Sequence, residues 1–164
     1  MKMGDVRYIC LHEAGHAVAT YYVGGWVEFI ELSENSELHE ALTHVHNTEG
    51  EHEFIACGGY AAELVLFNLG RVDAQDEGPL TIKQFISDAM ANAWRDKVRF
   101  FGANHEKEDR CWPEEYDIKF MVYANDVVLP VIERNFKAVC AIADELESKR
   151  RISRADIEAF TSDI

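Results

Sequence analysis

The sequence predicts a mainly α-helical protein with a small β element, built around one helix that carries His12-Glu13-Ala14-Gly15-His16. Three observations lead there. Apolar residues recur at helical spacing over 6–21, 53–69, 81–101 and 114–146. Two short stretches, Trp26 to Leu32 and Ala41 to His46, alternate as strands do. The H-E-x-x-H motif itself makes chemical sense only on a helix, where a four-residue spacing puts two imidazoles about 40° apart on one face.

Composition sets the outer bounds. A chain of 164 residues is long enough for one domain, 1–164, with a substantial core. Its apolar content of 48% is that of an ordinary globular protein. The net charge of −14 argues against nucleic acid and against anionic membrane surfaces as partners, because both recruit basic patches. Cys10, Cys57, Cys111 and Cys140 are scattered, with no C-x-x-C pair, which favours free thiols in a reducing compartment over a disulfide framework. Arg7, His12 and Glu13 interrupt the N-terminal apolar pattern, so no signal peptide is expected, and no run reaches the ~20 apolar residues of a membrane span. A cytoplasmic location is the expectation.

The elements follow in order. Asp5 is a candidate N-cap for the first helix, whose stripe is Val6, Ile9, Cys10, Ala14, Ala17, Val18 and Tyr21, with Gly24-Gly25 ending it. Trp26 to Leu32 reads as a strand, Ser33 to Glu40 as a loop, and Ala41 to His46 as a second strand that can pair with the first. His39, His44, His46 and His52 form an irregular group that reads as surface strand and loop residues. Residues 53–69 form a second helix with Gly58-Gly59 and Ala61-Ala62 in its middle. Glycine costs about 1 kcal/mol in a helix interior, so such a pair implies close approach of another backbone, that of the histidine helix. Glu63 stands alone in this apolar setting and needs a buried partner, for which a histidine N–H turned away from a metal is suited.

An acidic loop, 70–79, holds Asp73, Asp76 and Glu77. A third helix is expected over 81–101, with Asp88 at the edge of its stripe, between Gln84 and Asn92. A charged loop, 102–113, leads to a long helical stretch, 114–146, that Pro130 kinks or divides. Lys149-Arg150-Arg151 closes it, favourably for the helix dipole. Ser153 with Asp156 three residues on has the pattern of a capping box for a last short helix.

H-E-x-x-H arises by chance on exposed helices, and two surface histidines ordinarily bind nothing. Here both histidines flank the apolar stripe, which favours a metal. Neutral imidazoles suit zinc, and Glu13 beside His12 is placed to take a proton from an ion-activated water.

These residues resemble a known family. His12-Glu13-Ala14-Gly15-His16-Ala17-Val18 is similar to the active-site helix of the FtsH-type ATP-dependent zinc metalloproteases, and Gly58-Gly59-Tyr60-Ala61-Ala62-Glu63 is similar to their G-G-R-A-A-E helix. The family's third zinc ligand is an aspartate in an N-D or S-D pair, which Ser87-Asp88 resembles, and Asn135 to Phe160 is similar to its closing helices. The chain departs from the family in four ways. It has no G-x-x-x-x-G-K-[ST] or transmembrane helix ahead of the motif, no recognisable P-R-G in Phe29 to Ser36, Tyr60 in place of arginine, and Ser87-Asp88 inside a helix instead of opening it.

The resemblance implies an FtsH protease-domain-like helical fold and a stand-alone zinc metallopeptidase. His12, His16 and Asp88 would bind Zn²⁺, Glu13 would be the general base, and Glu63 would support a ligand. Without an ATPase module, the expected substrates are short or unfolded peptides, cleaved without ATP. A homo-oligomer or a separate ATPase chain is left open as a partner. The strand Trp26 to Leu32 is a candidate groove wall for an extended peptide. Three alternatives stand beside this: Glu63 as the metal's carboxylate, a catalytically silent metal- or peptide-binding module, and a peptide-deformylase-type hydrolase. The last needs an upstream cysteine ligand, and only Cys10 precedes His12.

Overall fold

In the computed structural model, the described residues are 1–33, 41–46, 50–74, 80–102 and 112–164. The loop histidine His39, the acidic pair Asp76 and Glu77, Cys111 and most of the charged loop lie outside them. The architecture is mainly helical with a small three-stranded antiparallel sheet.

The motif helix, α1 (Val6–Tyr22), runs through the middle. It packs against α3 (Gly58–Asn68), α8 (Phe136–Lys149) and the sheet, which buries all of 14–20. It is therefore more enclosed than an amphipathic reading of its stripe implies. Asp5 is its N-cap, but the carboxylate accepts from the Lys2 N–H at 2.7 Å and not from the helix. Gly24, with φ of +78°, turns the chain out of the helix.

α1 and α3 cross with almost no side chain between them. A Cβ on Gly15 would collide with the Gly58 carbonyl and stand 2.8 Å from the Ala62 Cβ. A Cβ on Gly58 would meet the Gly15 carbonyl oxygen at 2.6 Å. The close approach implied by Gly58-Gly59 and Ala61-Ala62 is present. The second helix is divided at Cys57 into α2 (His52–Ala56) and α3.

The strands are β1 (Trp26–Leu32), β2 (Ala41–His46) and β3 (Arg151–Ser153), in the order β2-β1-β3. β1 pairs with β2 from Trp26 opposite His46 to Leu32 opposite Ala41, and with β3 through Phe29, Ile30 and Glu31. This bears on the groove-wall expectation: β1 is the central strand, and over Phe29 to Glu31 both of its hydrogen-bonding edges are already used, so an added peptide strand has no edge to pair with there. Val27, Ile30, Leu32 and Ile152 face the core. On the outer face, His46 stacks on Trp26 and His44 on Phe29, each at 4.0 Å between ring centroids. Arg154 lies over Trp26 and Arg151 over Phe29. Both histidines are exposed strand residues, as the sequence reading has them, and so is His52 at the start of α2.

The third helix is not continuous. It breaks at Ala93 into α4 (Ile82–Asn92), which opens with a Thr81–Gln84 capping box, and α5 (Trp94–Phe101). The long stretch after the charged loop becomes α6 (Glu114–Tyr123), a π-helical turn over Ala124–Val128, α7 (Leu129–Arg134) and α8. The π turn ends at Val128, just ahead of Leu129 and Pro130, and the Leu129 N–H closes it on the Ala124 carbonyl. A proline has no N–H to continue the α ladder, and a widened turn absorbs that loss. α8 ends at Arg150, the one non-glycine residue with positive φ among the described residues. The Ser153–Asp156 capping box is present and starts α9 (Arg154–Thr161).

Candidate metal centre

α1 brings His12 and His16 to one side, as their spacing requires. His12 Nδ1 donates to Glu63 Oε1 at 2.8 Å, and His16 Nδ1 donates to the Ile55 carbonyl oxygen at 2.8 Å. A carbonyl only accepts, so the His16 proton is on Nδ1. In the neutral rings both Nε2 atoms therefore present lone pairs, and they stand 3.1 Å apart. Gly59 makes room for this, because a Cβ there would lie 2.7 Å or less from the His12 ring carbons.

The third group is Asp96. Its Oδ2 lies 3.2 Å from His12 Nε2, and its Oδ1 lies 3.3 Å from His16 Nε2. Asp88 is exposed on α4, one break away. Ser87-Asp88, the expected source of the carboxylate, is not part of the group the structure brings together: the chain turns between α4 and α5 at Ala93, and Asp96 of α5 faces α1. Glu63, the other carboxylate weighed as a ligand, engages the Nδ1 side of His12, away from the Nε2 atoms.

His12, His16 and Asp96 form a group that can hold a metal ion. The two Nε2 atoms stand 3.1 Å apart and each faces a different oxygen of the same carboxylate, so lone pairs are crowded together in a way that favours something positive among them. Two imidazole nitrogens and one carboxylate are donors that a divalent metal ion takes. The electrostatics favour a cation in the same place. Burial works against a charged His12, but Glu63 and Asp96 outweigh it and hold its pKa well above the ordinary imidazole value. Burial pushes the Asp96 carboxyl up, but His16 and His12 outweigh it and hold it far below the usual carboxylate range.

Glu13, half-buried, is one residue on from His12. Its Oε2 accepts from the Thr43 hydroxyl of β2 at 2.5 Å. Thr43 itself is buried, and its hydroxyl also lies 3.5 Å from the Glu13 carbonyl oxygen. The Thr43 hydroxyl therefore ties β2 to the motif helix at Glu13.

Sequence reasoning missed Asp96, Thr43 and the Ile55 carbonyl. Asp96 left a signal: it falls on the apolar stripe Ala89, Ala93, Phe100, the same anomaly that marked Glu63. Thr43 left none, because an edge-strand hydroxyl takes its meaning from a contact thirty residues away. The chain matches no protein-family model and no curated protein. Among the described residues, no helix is long and apolar enough to cross a membrane.

Proposed function

We propose that this chain is a zinc-dependent metallopeptidase acting on extended peptides. The single observation that carries the reading is the convergence of His12 Nε2, His16 Nε2 and the Asp96 carboxylate next to Glu13. Those three side chains would hold the ion. The chemistry zinc supplies when bound is Lewis acidity toward water and a peptide carbonyl.

The remaining work belongs to this chain's own residues. Glu63 and the Ile55 carbonyl fix the Nδ1–H tautomer of each imidazole, which keeps both Nε2 atoms available. Thr43 holds Oε2 of Glu13 and leaves Oε1 to accept the proton from the attacking water. Glu13 then returns that proton to the departing amine, so that water is added across the C–N bond. Among the described residues, β2, which carries Thr43, is an outer strand of the sheet with no strand paired beyond it. An extended peptide adding to β2 would lie next to the base. A folded substrate cannot present its backbone this way, so unfolded or short peptides are the substrate class.

The test is proteolysis of an unfolded casein-type substrate and a peptide library by zinc-loaded protein, with and without chelator. Chelator-sensitive cleavage supports the reading. Zinc binding at His12, His16 and Asp96 with no cleavage of any peptide would replace it with a silent metal- or peptide-binding module.

A further inference from the structure

Asp96 and Lys97 are successive residues on α5, about 100° apart around the helix. Asp96 faces the histidines of α1, and Lys97 faces α6. Lys97 is 1% exposed, and its Nζ lies 2.6 Å from Asp117 Oδ1. Its ammonium also lies 5.6 Å from the centroid of the Trp112 ring. A buried ammonium is costly to desolvate, and its pairing returns little net stability over apolar residues of similar volume.

α5 packs along α2, and beside the ion pair it meets α6 through aromatic rings. Phe100 meets Phe120 and Tyr123, each at 5.4 Å between centroids, and Phe101 meets Tyr116 at 4.9 Å. Ring-on-ring contacts of this kind tolerate sliding, because edge-to-face and offset arrangements differ little in energy. A charged hydrogen bond does not tolerate it. A slip of one residue along α5 moves a side chain by about 100° and 1.5 Å. That slip would carry the Asp96 oxygens off the two Nε2 atoms.

We propose that Lys97 is a positioning residue for the metal centre. Its ion pair with Asp117 fixes the register of α5 on α6, and that register sets the Asp96 carboxylate against both histidines. The inference rests on the metal reading and does not require peptide hydrolysis.

The test compares wild-type protein with the paired variant Lys97→Met/Asp117→Leu, each also in an Asp96→Ala background. Zinc affinity is read by competition with a chromophoric chelator, and thermal melting is followed on the metal-free proteins. The paired variant is expected to melt near wild type, since replacing both members of a buried pair is often neutral. Its zinc affinity should fall about 10–100-fold, the cost of losing a supporting partner at a metal site. With Asp96 absent, the same pair should change zinc affinity less than about twofold, because the route through which it acts is gone. Unchanged affinity in the paired variant would overturn the inference, and so would an equal loss with and without Asp96. If the paired variant does not fold, Lys97→Gln is read in the same two backgrounds by the same criteria. Wild-type protein that binds no zinc would remove the metal reading itself, whereas wild-type binding with unaffected variants removes this inference alone.

Discussion

The two sides of the metal centre are built differently. On one side α1 and α3 touch backbone to backbone at Gly15 and Gly58, and His12 sits over Gly59 with Glu63 behind it. On the other side Asp96 arrives on α5, an eight-residue helix that packs on α2 and meets α6 through edge-on rings and one buried ion pair. The first side has no freedom to adjust, because a glycine contact cannot repack. The second side has no such backbone contact: its ring contacts with α6 tolerate sliding, and the Lys97–Asp117 pair is the directional contact among them. The histidine pair thus sits on the more rigid side of the candidate centre, and the carboxylate on the more adjustable one.

The strongest way to sharpen that contrast is to separate chemistry from binding on the fixed side. Glu13→Gln preserves shape and removes the base. Zinc affinity should stay at wild-type level while peptide turnover falls about 10²–10⁴-fold. Equal turnover at equal zinc occupancy would show that Glu13 is not the base.

The next largest effect lies on the adjustable side. Asp96→Ala should lower zinc affinity at least about 100-fold, at or beyond the upper end of what losing a mere supporting partner costs. Asp88→Ala, at an exposed position, should leave it unchanged. The reverse outcome would restore the resemblance-based ligand set.

Much of the fixed side was legible in the sequence, and little of the adjustable side was. Paired small residues in a helix interior announce close backbone approach wherever they occur, and a lone carboxylate among apolar residues announces a buried partner. Those two rules locate the α1–α3 crossing and the Glu63–His12 hydrogen bond. The break at Ala93 has no such marker. No proline or glycine stands there, and the apolar stripe runs through it from Ala89 to Phe100. Tertiary contacts decide that break, so local pattern pointed to one long helix and the S-D resemblance to Asp88. β3 escaped for a similar reason: three residues are too few for periodicity, and Ile152 becomes a strand residue only through β1.

The contrast can also be broken by stability. Gly15→Ala forces a methyl group into the Gly58 backbone and should destabilise the metal-free protein by about 3 kcal/mol, the upper part of the overpacking range. Phe101→Leu in the aromatic contact should cost only about 1 kcal/mol, because neighbouring rings can shift to fill the space. Similar melting shifts for the two would show the α1–α3 crossing to be as yielding as the α5–α6 contact.

The smallest effect is in pH. In the metal-free protein, His12 has its pKa raised well above 6.5. That raised value contributes stability fully present below pH 6.5, and it is lost as pH rises through the folded-state pKa. Metal-free protein should therefore melt earlier as the solution becomes more alkaline. Zinc must displace the same proton, so zinc affinity should rise over the same interval, with proton release visible calorimetrically in buffers of different ionisation enthalpy. Parallel slopes for the two quantities would contradict the assignment of His12 as the group that exchanges its proton for the ion.

The central claim is that one ion is held by both motif histidines and by the carboxylate from α5. The most direct measurement is a crystal structure of the zinc-loaded protein with anomalous data at the zinc edge. The account predicts a single ion about 2.0–2.1 Å from His12 Nε2 and His16 Nε2, with an Asp96 oxygen at about 2.0–2.2 Å. An ion whose carboxylate ligand is Asp88 or Glu63, or one bound away from His12 and His16, would contradict it.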